Sequence, residues 1–360
     1  MHLKEVLALR PVPAGALFMA LTRRCPLACA HCSTNSLLSS EQHAPDLFLR
    51  FVDTFSPGNR PEVLLLTGGE PLLRPTLVRD LTERAHAVGT RVSLISGMFF
   101  ARQPRVPAAI DRAIAGVDHF TASLDIFHEQ QVPRAAVFRV FRELLARGQD
   151  VSFQVTGLGP DDPYLADVTG DIRRHFADRV PVLVAQVGAV GRAREWLQED
   201  GAQTDVGPAP CAMAAWPAVT FDGAVVACCN QAVVDGPAPP HLRLGHVAVD
   251  TWATVRERCL TSTMLRAIRV FGPLAAASHG SGQVACDGYC ATCYRLSDDP
   301  TIAERLAEVM VRPAMGFVEQ QVVALQREQR AYGVAAYAPL AELGYHQRGG
   351  EPARSPVCAD

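Results

Sequence analysis

Three cysteines, Cys25, Cys29 and Cys32, stand in a C-x3-C-x2-C spacing. A thiolate is a soft ligand suited to iron–sulfur centres, and three in so short a loop reach three corners of one cluster. No fourth cysteine lies nearby, and His31 is expected to point elsewhere, so one iron would stay open to an exogenous ligand. Two competing readings fit less well. A structural zinc wants four closed protein ligands, and a redox pair at Cys29 and Cys32 has no need of Cys25. Farther on comes Thr67-Gly68-Gly69-Glu70-Pro71. Its two glycines let backbone approach a ligand closely, and Glu70 offers an acceptor for a charged amine.

A second cysteine group begins at Cys211. Cys211 and Cys228 form a C-x11-G-x4-C element around Gly223. Asp222-Gly223 is a hairpin signal between Ala218–Phe221 and Ala224–Ala227, and the turn brings the two cysteines together. Cys286, Cys290 and Cys293 then repeat the C-x3-C-x2-C spacing, and Cys229 and Cys259 lie between the two parts. Cys259 sits in a helical stretch and reads as a buried small hydrophobe.

These groups need a scaffold, and the apolar periodicity supplies one. Short apolar strands are expected at Ala14–Leu21, Val63–Leu66, Val92–Ile95, Phe120–Leu124, Val151–Val155 and Val180–Val187. Between them, Leu77–Val88, Val106–Ala115, Ala135–Arg147 and Leu165–Phe176 have helical spacing, the first three closing on Gly89, Gly116 and Gly148. Such alternation predicts a parallel sheet with helices on its outer face. Six strands suit a partial, open (β/α)6 barrel, whose ligand site lies at the C-terminal strand ends. The cysteine loop and Gly68–Pro71 fall at two such ends. Gly201–Pro210 reads as a linker, and the cysteine-rich stretch to Leu296 as irregular. Helices are expected at Ile302–Met310 and Phe317–Tyr332, and residues from Gln347 are expected to be disordered.

Composition narrows the setting. The 360 residues are 48% hydrophobic and 20% charged, with a formal net charge of −3, so nucleic acid is not an expected partner. Lys4 is the only lysine. The N-terminal stretch lacks the apolar run and cleavage site of a signal peptide. No segment approaches the roughly 18 apolar residues of a membrane span. A cytoplasmic location is therefore expected, where eleven cysteines are better explained by metal than by disulfides.

With the cysteine loop and GGEP together, the chain resembles the radical S-adenosylmethionine (radical SAM) superfamily over roughly Ala14 to Arg194. The resemblance implies that S-adenosylmethionine chelates the open iron of a 4Fe–4S cluster held by Cys25, Cys29 and Cys32. Gly68, Gly69, Glu70 and Pro71 would bind its amine. Ser96 stands where relatives often carry Asn in Thr-Asn-Gly, and Ser123-Leu124-Asp125 looks like the Ser-Leu-Asp common in these enzymes. Ser96, Ser123 and Gln154 are thus cofactor-binding candidates, and Gly188–Arg192 falls near the adenine position. The second group resembles the SPASM/twitch extension of such enzymes. It implies one auxiliary 4Fe–4S cluster on Cys211, Cys228, Cys290 and Cys293, with structural zinc on the same thiolates as the competing reading. The implied divisions are a core domain at 1–200, an auxiliary region at 201–300, a helical segment at 301–346 and a tail at 347–360.

The resemblance implies reductive cleavage of S-adenosylmethionine and hydrogen abstraction from a substrate, with reduced flavodoxin or ferredoxin as electron donor. Crosslinking or epimerisation of a ribosomally made peptide or natural product is the leading reading. Only 24 residues precede Cys25, so a leader-recognition domain would have to come as a separate protein. A twitch-type dehydrogenase of an amino sugar alcohol is the alternative, and a non-catalytic cluster scaffold is the third. Cys286 and Asp125 are the catalytic candidates, with Asp222, His128 and Tyr289 near the same motifs.

Overall fold

The computed structural model describes residues 1–177, 179–197, 209–282, 288–330, 337 and 340. Cys286, residues 201–208 of the expected linker and the segment from Gln347 lie outside the described residues. The chain opens with helix α1 (Leu3–Leu9), which the sequence reading did not assign. Six parallel strands follow: β1 (Ala16–Ala20), β2 (Val63–Thr67), β3 (Arg91–Ser96), β4 (His119–Leu124), β5 (Val151–Gly157) and β6 (Val182–Gln186). They lie side by side in chain order. Between them run α2 (Pro45–Val52), α3 (Pro75–Ala87), α4 (Ala108–Gly116), α5 (Ile126–Glu129), α6 (Arg134–Ala146) and α7 (Pro163–Phe176). Proline stands in the first turn of α2, α3 and α7, where its missing N–H breaks no helical bond.

Alternation along the strands sorts the two faces of this sheet. Leu17, Leu64, Val92, Phe120 and Phe153 are fully buried on the helix-covered face, in the same apolar core as Val78, Leu81 and Phe141 of the helices. The inward face carries Phe18, Leu65, Ser93, Thr121, Ser152 and Leu183, which line a cavity of about 620 Å³. Polar residues are tolerated there because they bond one another.

His119 shows the consequence. Its Nε2 lies 2.8 Å from Ser152 Oγ, its Nδ1 lies 2.8 Å from the Met1 carbonyl, and Thr121 Oγ1 is 3.0 Å from the same Ser152 hydroxyl. Nδ1 therefore donates to the carbonyl, and Nε2 accepts from Ser152. Burial pushes this imidazole down to about 4 from 6.5. A histidine depressed on folding holds its stability above the unfolded value and loses it as pH falls toward the folded one. Between pH 6.5 and 4 the fold is expected to lose up to about 3 kcal/mol through this group. Urea denaturation at pH 7 and pH 4.5 should show a smaller drop for His119→Gln than for wild type; equal drops would contradict it.

Beyond β1 the sheet continues. β7 (Ala218–Val219) pairs parallel to β1, and β8 (Ala224–Val226) and β9 (Arg243–His246) add antiparallel strands, so the sheet has nine strands rather than six. The stretch expected to be irregular also holds α8 (Gln231–Asp235), α9 (Trp252–Thr261), α10 (Thr263–Ala277) and α11 (Tyr289–Arg295). β7 and β8 form the hairpin expected around Asp222-Gly223, whereas β9, with four residues, is too short to show a period. In α10, Gly272-Pro273 interrupts the helix with a kink and reads as a loop from sequence. Finally α12 (Pro300–Met310) and α13 (Pro313–Arg330) build a second core against α10 with Ile268, Leu306 and Met315. α13 also packs on α1. No helix among the described residues is long and apolar enough to cross a membrane.

Candidate active site

The cysteine loop leaves the C-terminal end of β1 and is pinned by backbone and side chains that follow three other strands. After β2, Gly69 N–H donates to the Thr22 carbonyl at 2.7 Å and Glu70 N–H to the Arg24 carbonyl at 2.8 Å. A methyl on Gly69 would stand 2.5 Å from the Arg23 and Arg24 carbonyl oxygens, so only glycine admits this contact. After β4, Gln131 Nε2 lies 3.5 Å from Cys29 Sγ while its Oε1 accepts from Ala28 N–H at 2.8 Å. After β6, Arg192 donates from its backbone to Cys32 O, from Nε to Cys29 O and from Nη1 to Ser36 O, all within 3.0 Å. Gly191 and Arg192, in the stretch that the resemblance places near adenine, stand against the cysteine loop.

Each thiol of the loop has its own environment. Cys25 Sγ accepts from Leu27 N–H at 3.4 Å, and Cys32 Sγ lies 3.5 Å from Thr34 Oγ1. Burial, joined by Glu70 and the two other thiols, pushes Cys25 up to about 12. Burial opposes ionisation of Cys32 as well, but hydrogen bonds from Thr34 and Ser36 and the Arg192 charge bring it below the ordinary thiol value.

Glu70 has no exposed surface. Its carboxylate accepts from Leu72 N–H at 2.9 Å, from Ser96 Oγ at 2.9 and 3.0 Å, and from Gly97 N–H at 2.9 Å. Burial raises it to about 7 despite these donors. Glu70 thus ties the end of β2 to the end of β3, and Ser96 serves that tie. Pro71 is buried and opens a single 3-10 turn, Pro71–Leu73. Ser123 is half-buried near the C-terminal end of β4, and Gln154, half-buried at the middle of β5, lines the cavity.

Asp125 is 1% exposed and engaged on both oxygens. Oδ1 accepts from Phe127 and His128 N–H at 2.9 Å, capping α5, while Oδ2 lies 2.6 Å from His128 Nδ1 and 3.2 Å from His31 Nε2. Burial opposes its charge, yet the two imidazoles hold it well below the usual carboxylate range. Burial likewise opposes charge on His128, but Asp125 and the Cys29 thiol raise it to about 10. His31 stacks on Phe127 at 4.7 Å. Asp222 accepts from Thr220 Oγ1 and Ala224 N–H and shapes the β7–β8 turn, and Tyr289 donates to the Ala209 carbonyl at 2.6 Å.

The second cysteine group also converges. Burial pushes Cys293 up to about 12, with Cys211 and Cys290 adding to it. Burial and the neighbouring Cys229, Cys211 and Cys293 raise Cys228 well above the ordinary value, although Asn230 N–H donates to its sulfur at 3.3 Å. Cys259 is fully buried in the apolar core.

The donor sets are thiols, soft ligands that suit iron–sulfur clusters and zinc alike. Tetrahedral zinc at Zn–S of about 2.3 Å draws its sulfurs to about 3.8 Å from one another. Among the described residues, only His31, Asp125 and His128 bring three such ligand atoms within 4.8 Å of one another, and no cysteine trio does. Thiols that discourage one another's ionisation also need a positive centre to be held as thiolates.

A family model described as the Radical SAM superfamily matches residues 19–167. The chain contains a radical SAM domain. That span runs from within β1 into α7 and contains the cysteine loop, Gly68–Pro71, Ser96, Ser123 and Gln154. The PqqA peptide cyclase of Methylocella silvestris is 31% identical over 184 residues, 51% of this chain and 46% of that protein. The PqqA peptide cyclase of Ruegeria pomeroyi is 39% identical over 118 residues, 31% of this chain and 30% of that one. The chain thus spans about half the length, or less, of the curated relatives it matches. Among solved structures, Streptococcus suis SuiB bound to S-adenosylmethionine aligns with a TM-score of 0.49 and 10% identity, covering 68% of this chain and 65% of that chain. Native anSMEcpe with bound AdoMet aligns with a TM-score of 0.47 and 12% identity, covering 85% of this chain and 99% of that chain.

Three residues of the site were not singled out by the sequence reading: Gln131, Arg192 as a clamp, and Arg10. Gln131 and Arg192 lie 102 and 163 positions from Cys29, and only the barrel brings them to it. Arg10 follows α1, a helix of seven residues whose period is too brief to stand out.

Proposed function

We propose that this chain is a radical SAM enzyme that modifies a peptide, forming a crosslink or inverting a residue. The observation that carries the reading is the convergence of the ends of β1, β2 and β4, within the matched radical SAM span, and of Arg192 after β6 on the Cys25–Cys32 loop. Cys25, Cys29 and Cys32 would hold the 4Fe–4S cluster, whose remaining iron takes S-adenosylmethionine. When bound, that pair supplies reductive cleavage to methionine and a 5′-deoxyadenosyl radical. The protein's part is to bind, orient and exclude water. Gly68 and Gly69 offer close backbone approach beside the loop, Ser123 and Gln154 offer hydroxyl and amide groups, and the curved inner face of the open sheet lines the cavity below. Reduced flavodoxin or ferredoxin would deliver the electron.

Cys211, Cys228, Cys290 and Cys293 would hold one auxiliary 4Fe–4S cluster in a SPASM/twitch-like extension. The proximity of Cys228, Cys290 and Cys293 to Cys211 supports a shared site, with Cys229 beside Cys228 at its edge. A peptide substrate is supported by relatives named for the cyclisation of a peptide, at 31% identity over 184 residues. A separate leader-recognition protein would present it.

The test begins with cleavage. Protein reconstituted anaerobically with iron and sulfide, given a reductant and S-adenosylmethionine, is expected to release 5′-deoxyadenosine. No release above a protein-free control would refute the enzymatic reading. With a peptide encoded beside the gene, a mass loss of two hydrogens indicates crosslinking, and deuterium gain from heavy water indicates epimerisation. A two-hydrogen loss from a small sugar alcohol and none from peptides would move the assignment to a dehydrogenase.

A further inference from the structure

A buried guanidinium needs negative charge beside it. Arg10 is 8% exposed, and what it meets is sulfur. Its Nη2 lies 3.6 Å from Cys229 Sγ, 3.1 Å from Met213 Sδ and 3.3 Å from the Met213 carbonyl. Met213 stands two residues after Cys211, and Cys229 stands next to Cys228. One amino group thus touches both segments that carry the first two thiols of the second group. Burial lowers Arg10 from its ordinary value, while Cys229, Cys228 and Cys211, in that order, oppose the shift. No described aspartate or glutamate lines the cavity that Arg10 borders.

The fork is held rigidly. Arg10 follows α1, its backbone N–H donating to the Leu7 carbonyl at 3.0 Å. Its guanidinium carbon sits 4.6 Å from the Trp216 ring centre and 5.5 Å from that of Phe18. Trp216 is itself anchored, its indole N–H donating to the Leu9 carbonyl at 2.8 Å. Nη1 is buried and has no hydrogen-bond partner. Packing on Trp216 alone would be served by an uncharged side chain. A cation kept here without a carboxylate is uncompensated unless the thiols beside it carry negative charge, as they do when ligation holds them as thiolates.

We infer that Arg10 is the fixed counter-charge of the second cysteine site and raises the reduction potential of the cluster bound there. The inference rests on the proposed auxiliary cluster. Net charge and hydrogen bonds to sulfur set the potential of such a centre. Reduction adds one negative charge, so a cation fixed beside the thiolates favours the reduced state. Arg10 is a positioning residue in this sense: it acts through the sulfurs and ligates nothing.

The test uses the full chain with Cys25, Cys29 and Cys32 changed to Ala, reconstituted anaerobically with iron and sulfide, so that the second group alone gives the signal. Its midpoint potential is read by redox titration with electron paramagnetic resonance. In Arg10→Gln the ratio of reduced to oxidised cluster at a fixed poise is expected to fall about tenfold, a downward shift of about 59 mV for one electron. Arg10→Lys keeps the charge but not the planar fork, and is expected to stay closer to the parent. An unchanged potential in Arg10→Gln would overturn the inference. So would equal shifts in the two variants, since packing on Trp216 would then be the cause. Iron lost from Arg10→Gln alone supports the counter-charge; iron lost from Arg10→Lys overturns it. Zinc without iron in the parent would sink the auxiliary cluster and this inference together, whereas iron with no shift sinks the inference alone. Release of 5′-deoxyadenosine, measured separately on wild type, tests the proposed enzyme without bearing on the potential.

Discussion

A variant with Cys25, Cys29 and Cys32 all changed to Ala is expected to release no 5′-deoxyadenosine above background while retaining about four irons per chain. Losing one residue behind a metal ligand already costs roughly 10- to 100-fold in affinity or activity, and losing all the ligands removes the centre. The fold should survive, because the loop is also held by backbone bonds from Gly69, Glu70 and Arg192 that do not involve the sulfurs. The retained iron would belong to Cys211, Cys228, Cys290 and Cys293. Iron and sulfide quantification, with zinc measured alongside, separates the outcomes. Zinc in place of the residual iron would replace the auxiliary cluster by a structural ion. Undiminished 5′-deoxyadenosine would remove the loop from the cleavage chemistry altogether.

The second large effect is expected from one methyl group. Gly191 has φ of 54°, and a Cβ there would lie 2.2 Å from the Cys32 carbonyl oxygen and 2.5 Å from that of Ser33. Gly191→Ala must therefore push the cysteine loop away from the end of β6 and with it the three bonds that Arg192 makes to the loop. Cleavage of S-adenosylmethionine should fall roughly 10- to 100-fold, a loss comparable to removing a supporting residue of a metal site. Gly148→Ala is the control. It has φ of 76°, also left-handed, but nothing lies within 4 Å of its added methyl. It carries the same backbone strain, about 1–2 kcal/mol, without the collision. Its cleavage activity should stay near wild type. Equal losses in the two variants would show that backbone strain, not contact with the cysteine loop, governs the effect.

Much of the scaffold was legible in the chain itself. The six barrel strands lie within two residues of their expected bounds, because a buried parallel strand is a short apolar run between turn signals. The motifs were legible for a related reason. Close approach to the cysteine loop requires glycine at 69, and cluster ligation requires thiolates at fixed spacing. The β7–β8 hairpin was legible from Asp222-Gly223; what lacked a local signal was α1 with seven residues, β9 with four, and the pairing of the hairpin to β1. Their stability comes from the sheet edge and core they join, not from a repeating pattern. Glu70 illustrates the boundary within a single residue. Its place beside two glycines is written in the sequence, but its complete burial among Leu72, Ser96 and Gly97 donors depends on β3 lying next to β2.

By itself, then, the sequence determined which atoms can ligate and which strands carry them, since thiol spacing, glycine positions and apolar periods are local properties. Tertiary structure decided the company those atoms keep. It set Gln131 and Arg192 on the cysteine loop, clamped Asp125 between His31 and His128, and stacked Arg10 on Trp216 beside Cys229. Each of these pairings except Asp125 with His128 joins residues more than 90 positions apart. The physical reason is that parallel strands gather their C-terminal ends around the cysteine loop and their N-terminal ends opposite it, where Arg10 before β1 meets Trp216 before β7, whatever the distance along the chain.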